Sequence, residues 1–179
     1  VVIQGEKTLK GTLTLPLIEA EKLPAVLIIN GSGSADRDGS IKKPTIKANI
    51  YKDLAHFITE LGVITLRYDK RGVGESEGDL LITGMRDLIQ DIVRNVEFLK
   101  NHPRVDTSKI ILLGHSEGCI LATIANTMIS TGGLILLSGA GTGLKESMSY
   151  QNLQIIKEVQ KLEGIKGFFL RRVINREKI

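Results

Sequence analysis

Three short, continuously apolar runs constrain this chain more than any other feature. They are residues 25–30 (Ala-Val-Leu-Ile-Ile-Asn), 110–113 and 134–137. A strand with one wet face alternates; a run without alternation is buried on both faces, as in a parallel sheet covered by helices. Residues 63–68 read as a further strand. Helical spacing fills the gaps. From Asn49, the residues Ile50, Leu54, Phe57, Ile58 and Leu61 fall on one helix face, ended by Gly62. Met85, Leu88, Ile89, Ile92, Val93, Val96 and Leu99 recur at helical intervals. They predict a helix over 83–101, with Thr83 as its N-cap and Pro103 closing it. A small, apolar stretch over 119–129 predicts a third helix, broken by Gly132 and Gly133. Strands alternating with helices mean an α/β fold, and right-handed crossovers place helices on both faces of a mostly parallel sheet.

The margins differ. Residues 8–15 alternate, with Leu9, Gly11, Leu13 and Leu15 on one side, which predicts a half-exposed antiparallel strand, and residues 1–3 are expected to pair with it. After 137 the alternation stops. Residues 148–163 predict an amphipathic helix carrying Leu153, Ile155, Ile156, Val159 and Leu162. The end mixes Phe168, Phe169 and Leu170 with Arg171, Arg172, Arg176 and Lys178.

Function in such sheets sits at the carboxyl ends of the strands. Three loops meet there: those after Asn30, after Tyr68 and after Leu113. The last is Gly114-His115-Ser116-Glu117-Gly118. Strand, sharp turn and helix form the context of a G-x-S-x-G nucleophile elbow, where a strained turn leaves room only for small neighbours. A serine hydroxyl needs a base to take its proton, and the resulting oxyanion needs backbone donors. Ser116 is the candidate nucleophile. The N–H of Glu117, opening the helix, is one candidate oxyanion donor, and that of Ser32 in Asn30-Gly31-Ser32-Gly33 is the other.

Three motifs occur in order: Asn-Gly-Ser-Gly-Ser-Ala-Asp-Arg-Asp-Gly at 30–39, Asp-Lys-Arg-Gly-Val-Gly-Glu-Ser at 69–76, and the elbow at 114–118. Together they resemble the α/β-hydrolase superfamily, in particular bacterial esterases and serine-aminopeptidase-like hydrolases. The resemblance covers roughly the first 140 residues and implies hydrolysis of a small ester or acyl substrate through an acyl-enzyme. In that family a histidine usually stands where this chain has Asn30.

The family's triad runs Ser…Asp/Glu…His, yet His56, His102 and His115 all precede Ser116. His115 is expected to point away from Ser116, His56 to serve its helix, and His102 to sit at a helix end. Asp69 and Arg71 read as turn-fixing residues. The resemblance therefore implies that the base and acid lie beyond residue 179. It divides the chain into a core over 1–143 and the start of a helical cap over 144–179. The sheet is then incomplete at its C-terminal edge, and an unpaired 134–137 strand invites self-association. The reading from another class is an α/β-hydrolase-fold binding module without catalysis; thioesterase and peptidase activities share the same machinery.

Several classes are set aside. Net charge is +4, and basic residues are scattered until the tail, so no nucleic-acid stripe is present. The single cysteine, Cys119, excludes an internal disulfide, reads as a buried structural thiol, and fits a cytoplasmic location, with a removed leader left open. No apolar run is long enough for stable membrane insertion. Residues 34–39 imitate part of a calcium loop, but Thr45 stands where the bidentate glutamate belongs. Gly31-Ser-Gly33-Ser-Ala-Asp36 is no dinucleotide fingerprint. No metal and no cofactor are expected.

Overall fold

The computed structural model describes residues 1–42, 47–164, 167, 168, 170 and 172. The chain forms two compact units, Val1–Gly139 and Ala140–Ile179. The first contains β1 (Val2–Ile3), β2 (Leu9–Thr14), β3 (Leu23–Ile29), α1 (Ile50–Glu60), β4 (Ile64–Tyr68), α2 (Met85–Lys100), β5 (Val105–His115), α3 (Glu117–Met128) and β6 (Gly133–Leu137). The second contains α4 (Leu144–Lys161).

The six strands form one sheet in the order β1-β2-β4-β3-β5-β6. β1 and β2 run antiparallel to their neighbours, while β4, β3, β5 and β6 are parallel. Side-chain alternation sorts the core into two layers. Ala25, Leu27 and Ile29 of β3, with Ile110 and Leu112 of β5, pack toward α2 and α3. Val26, Ile28 and Leu113 pack toward α1. Pro24 sits within β3 where the register to β5 shifts between Leu23 and Ala25, so its missing N–H falls at an irregularity.

The structure corrects three expectations. In α1 the buried residues are Tyr51, Ala55, Ile58 and Thr59, whereas Ile50, Phe57 and Leu61 are exposed. The sheet face beneath this helix carries Thr65 and Arg67, which need polar partners. Thr59 Oγ1 bonds Thr65 Oγ1 at 3.1 Å, and Arg67 Nε donates to Asp38 at 2.7 Å. Satisfying buried polar groups rotates the helix away from its most apolar face. In α2 the N-cap is Gly84, whose N–H donates to Asp87 Oδ2 at 2.8 Å. Thr83 instead donates to the Asp79 carbonyl and closes the short 3-10 turn Leu80–Ile82. β5 runs eleven residues, so residues 110–113 are only its central part.

β6 reads as buried from its apolar run and as an edge strand from the incomplete sheet, and the structure has it at the edge. It is the outer strand, and Ile135, Leu136 and Leu137 are 38–49% exposed. Among the described residues β6 pairs with β5 alone, along one edge. In α4 the residues Met148, Leu153 and Ile155 are exposed, and Ile156 and Val159 are half-buried. Thr45 and most of the basic terminal segment, Phe169, Arg171 and residues 173–179, lie outside the described residues.

Candidate active site

β5 ends at His115 and α3 begins at Glu117, so Ser116 alone joins a buried parallel strand to a helix. Its backbone stands at φ 55°, ψ −118°, a region an L-residue occupies only when its surroundings hold it there. Ser116 N–H donates to the Leu137 carbonyl at the end of β6 (2.9 Å), and Cys119 N–H donates to the Ser116 carbonyl (3.0 Å). The flanking glycines serve close approach. A Cβ on Gly114 would collide with the carbonyl of Gly118, and one on Gly118 with the carbonyl of Ile29. Helix, elbow and the end of β3 thus touch backbone to backbone. The buried Cys119 thiol faces the carbonyls of Gly114 (3.1 Å) and Leu137 (3.3 Å), a packing role.

The loop after β3 passes directly beside this turn. A Cβ on Gly31 would lie 3.2 Å from Ser116 Cβ and 3.3 Å from the His115 carbonyl. Gly31 is itself bonded on both sides. Its N–H donates to the Tyr51 hydroxyl (3.1 Å), and its carbonyl accepts from Lys70 Nζ (2.7 Å). Tyr51 comes from α1 and Lys70 from the turn after β4. The Tyr51 hydroxyl also bonds His115 Nδ1 at 2.9 Å, and the two rings meet edge-on with centroids 5.8 Å apart. Ser32, next in the loop, is exposed. Glu117 opens α3, and the first N–H groups of a helix have no intrahelical partner.

Electrostatics follow from burial. Lys70 is 3% exposed, and desolvation pushes its ammonium below the usual lysine range, against a partial pull upward from the Glu117 carboxylate. Burial raises the Tyr51 hydroxyl, with the Gly31 hydrogen bond working the other way, so Tyr51 remains a neutral phenol at pH 7.

Asp69 and Arg71 are both committed to the scaffold. The Asp69 carboxylate accepts from Arg37 N–H (2.6 Å), the Arg37 guanidinium (2.6 and 3.1 Å) and Glu75 N–H (2.9 Å). Burial works against the Arg37 charge, but Asp69, joined by Glu75, more than offsets it and raises the pKa. Arg71 makes a bidentate pair with Asp91 of α2 (2.8 and 2.9 Å). These pairs shape the turn that presents Lys70.

The three histidines are accounted for. His115 is held by Tyr51. His102 accepts from Arg104 N–H at 3.3 Å, before the start of β5 and so at the opposite end of that strand from Ser116. His56 is exposed on α1 beside a groove formed with Leu15, Pro16 and Leu17. Among the described residues no histidine hydrogen-bonds Ser116. Nor is any group of three His, Cys, Asp or Glu among them arranged to hold a metal, and no helix there is long and apolar enough to cross a membrane.

Sequence reasoning missed Tyr51 and Lys70. Tyr51 was hidden by the wrong face of α1. Lys70, between Asp69 and Arg71, carries no sequence signal separating it from an ordinary surface turn lysine.

The profile of the family described as serine aminopeptidase, S33, matches residues 46–173, from before α1 through the elbow and into the second unit. The chain belongs to this family. The fold is that of the α/β-hydrolases, and among the described residues no strand pairs with β6 beyond β5. Esterase EstD of Thermotoga maritima is 33% identical over 144 residues, covering 80% of this chain and 33% of that protein. The chain therefore spans about a third of the length of the curated relatives it matches. Est1E from Butyrivibrio proteoclasticus, solved with ferulic acid bound, superposes with a TM-score of 0.58 at 26% identity, over 72% of this chain and 47% of that one. The α/β hydrolase GrgF from Penicillium sp. sh18 superposes at 0.66 with 23% identity, over 92% of this chain and 55% of that one, a likeness of fold.

Proposed function

We propose that this chain is the nucleophile-bearing part of a serine hydrolase of carboxylic esters. The observation that carries the reading is Ser116 itself: a serine at φ 55° between a parallel strand and a helix, with glycines required for space on both sides. Likeness to proteins named as esterases supports the ester class.

In this reading Ser116 Oγ attacks the ester carbonyl carbon while a base takes the hydroxyl proton. The carbonyl oxygen becomes an oxyanion between the N–H groups of Ser32 and Glu117. Ser32 is the donor assigned to its loop because the Gly31 N–H is already committed to Tyr51. The tetrahedral intermediate collapses with protonation and loss of the alcohol, leaving an acyl group on Ser116. Water, activated by the same base, then releases the acid. The base and acid of the triad are proposed to lie beyond residue 179, and residues 144–179 to be the start of a helical cap.

A fluorophosphonate probe with intact-mass readout on the full-length protein tests this. The expected result is one adduct on Ser116, absent in Ser116→Ala. A folded full-length protein that takes up no probe sinks the hydrolase reading and leaves a binding module on the same fold. Without its base the chain is expected to lose roughly 10⁶-fold in turnover, as when a triad histidine is removed.

A further inference from the structure

The backbone at Gly31, beside Ser116, is gripped on both sides by residues that the proposed chemistry does not use. Gly31 O and Ser32 N belong to the same planar, trans peptide, so their C=O and N–H bonds point to opposite sides. Holding the carbonyl fixes where the N–H aims. Lys70 Nζ holds it at 2.7 Å from a buried position. The preceding N–H, that of Gly31, is tied to the Tyr51 hydroxyl at 3.1 Å. The same Tyr51 hydroxyl pairs with His115 Nδ1 at 2.9 Å, the donor being set by the imidazole tautomer. His115 directly precedes Ser116, so the chain of bonds ends at the nucleophile's own backbone.

We propose that Lys70 and Tyr51 are positioning residues that clamp the peptide joining Gly31 to Ser32 and aim the Ser32 N–H at the oxyanion. The proposal rests on the reading of Ser116 as nucleophile and deepens it. Neither side chain touches substrate; each acts through the loop. The loop needs such support because it is rich in glycine and serine, with Gly33 at φ 87°. Lys70 also does more than hold. A hydrogen bond to an amide oxygen, stronger from an ammonium than from a neutral donor, polarises the amide and strengthens its N–H as a donor. Replacing that bond by water would preserve hydration of the carbonyl but not its direction. The clamp also links three separate elements: α1 through Tyr51, the turn after β4 through Lys70, and the end of β5 through His115.

The test is the kinetics of phosphonylation at Ser116 in the full-length protein, resolved into the maximal rate kinact and the half-saturating concentration KI. Lys70→Met is expected to lower kinact by about 10- to 100-fold while KI moves by less than about twofold, because aim is lost and encounter is not. Lys70→Gln keeps a donor and is expected to recover part of that loss. Tyr51→Phe frees the Gly31 N–H and is expected to lower kinact by about threefold to tenfold. A merely structural lysine would not move kinact at constant KI in a folded protein, so circular dichroism accompanies each variant. Folded Lys70→Met labelled at the wild-type rate overturns the clamp. Where Lys70→Met does not fold, Tyr51→Phe decides: slowed labelling supports the clamp and an unchanged rate overturns it. A wild type that takes up no phosphonate at Ser116 overturns the functional reading and the clamp with it. A labelled wild type with equally fast variants overturns the clamp alone.

Discussion

Lys70 shows how little a residue's type says about its task. In the sequence it is one of three consecutive charged residues in a turn; in the structure it is a buried cation with its head on a backbone carbonyl. That burial has a thermodynamic signature. The folded pKa lies below the ordinary 10.5. Between the folded value and 10.5 the unfolded chain carries a proton that the native state has released. Stability therefore rises with pH through that window as far as this residue is concerned. The unfolding free energy of wild type minus that of Lys70→Met is expected to climb as pH rises toward 10.5. Urea titrations of both proteins across that range check it, and a level or falling difference refutes it. Its neighbours were legible. Asp69 and Arg71 read as turn-fixing from the sequence, and their bonds to Arg37 and Asp91 bear that out. The identity of those partners was not legible, since Arg37 lies 32 residues from Asp69 and only folding brings them together.

Elements divide by how many neighbours they must satisfy. The parallel strands were readable because a run buried on both faces tolerates almost nothing but aliphatic side chains. α2 was readable because one of its faces meets the core and the other meets water. α1 was misread because its inner face must serve Thr65 and the Gly31 loop as well as the core. A periodicity argument scores apolarity and cannot see a distant polar group that needs a partner. The elbow is the most tightly specified element. Gly118→Ala would push a methyl group into the Ile29 carbonyl, a backbone atom that cannot turn aside. The expected cost is about 1–3 kcal/mol from overpacking alone, with displacement of Ser116 in addition. Urea unfolding measures the first and probe labelling the second. A Gly118→Ala protein with wild-type stability would show that the close approach to β3 is not required.

At the scale of the molecule the open sheet edge dominates. β6 presents its outer edge and the half-exposed side chains of Ile135, Leu136 and Leu137. An apolar edge strand is a template for another chain. The isolated polypeptide is expected to self-associate at micromolar concentration, and Leu136→Lys to shift it toward monomer. Light scattering after size exclusion reads both, and a wild type that is monodisperse and monomeric contradicts the expectation. The sequence by itself determined the α/β class, the strand and helix order, and the sharp strand-to-helix turn at 114–118 with its two glycines. These depend on local periodicity and on steric demands that act within a few residues. Only the tertiary structure decided which face of α1 turns inward, and that Tyr51 and Lys70 converge on Gly31 with His115 bonded behind Tyr51. Those outcomes depend on which distant backbone and side-chain groups become neighbours once the sheet has formed. No spacing along the chain encodes that. Gly114 to Gly118 could be read in a line of letters because its own turn carries the constraint. The backbone at Gly31 beside it could not, because its partners Tyr51 and Lys70 arrive from two other places in the fold.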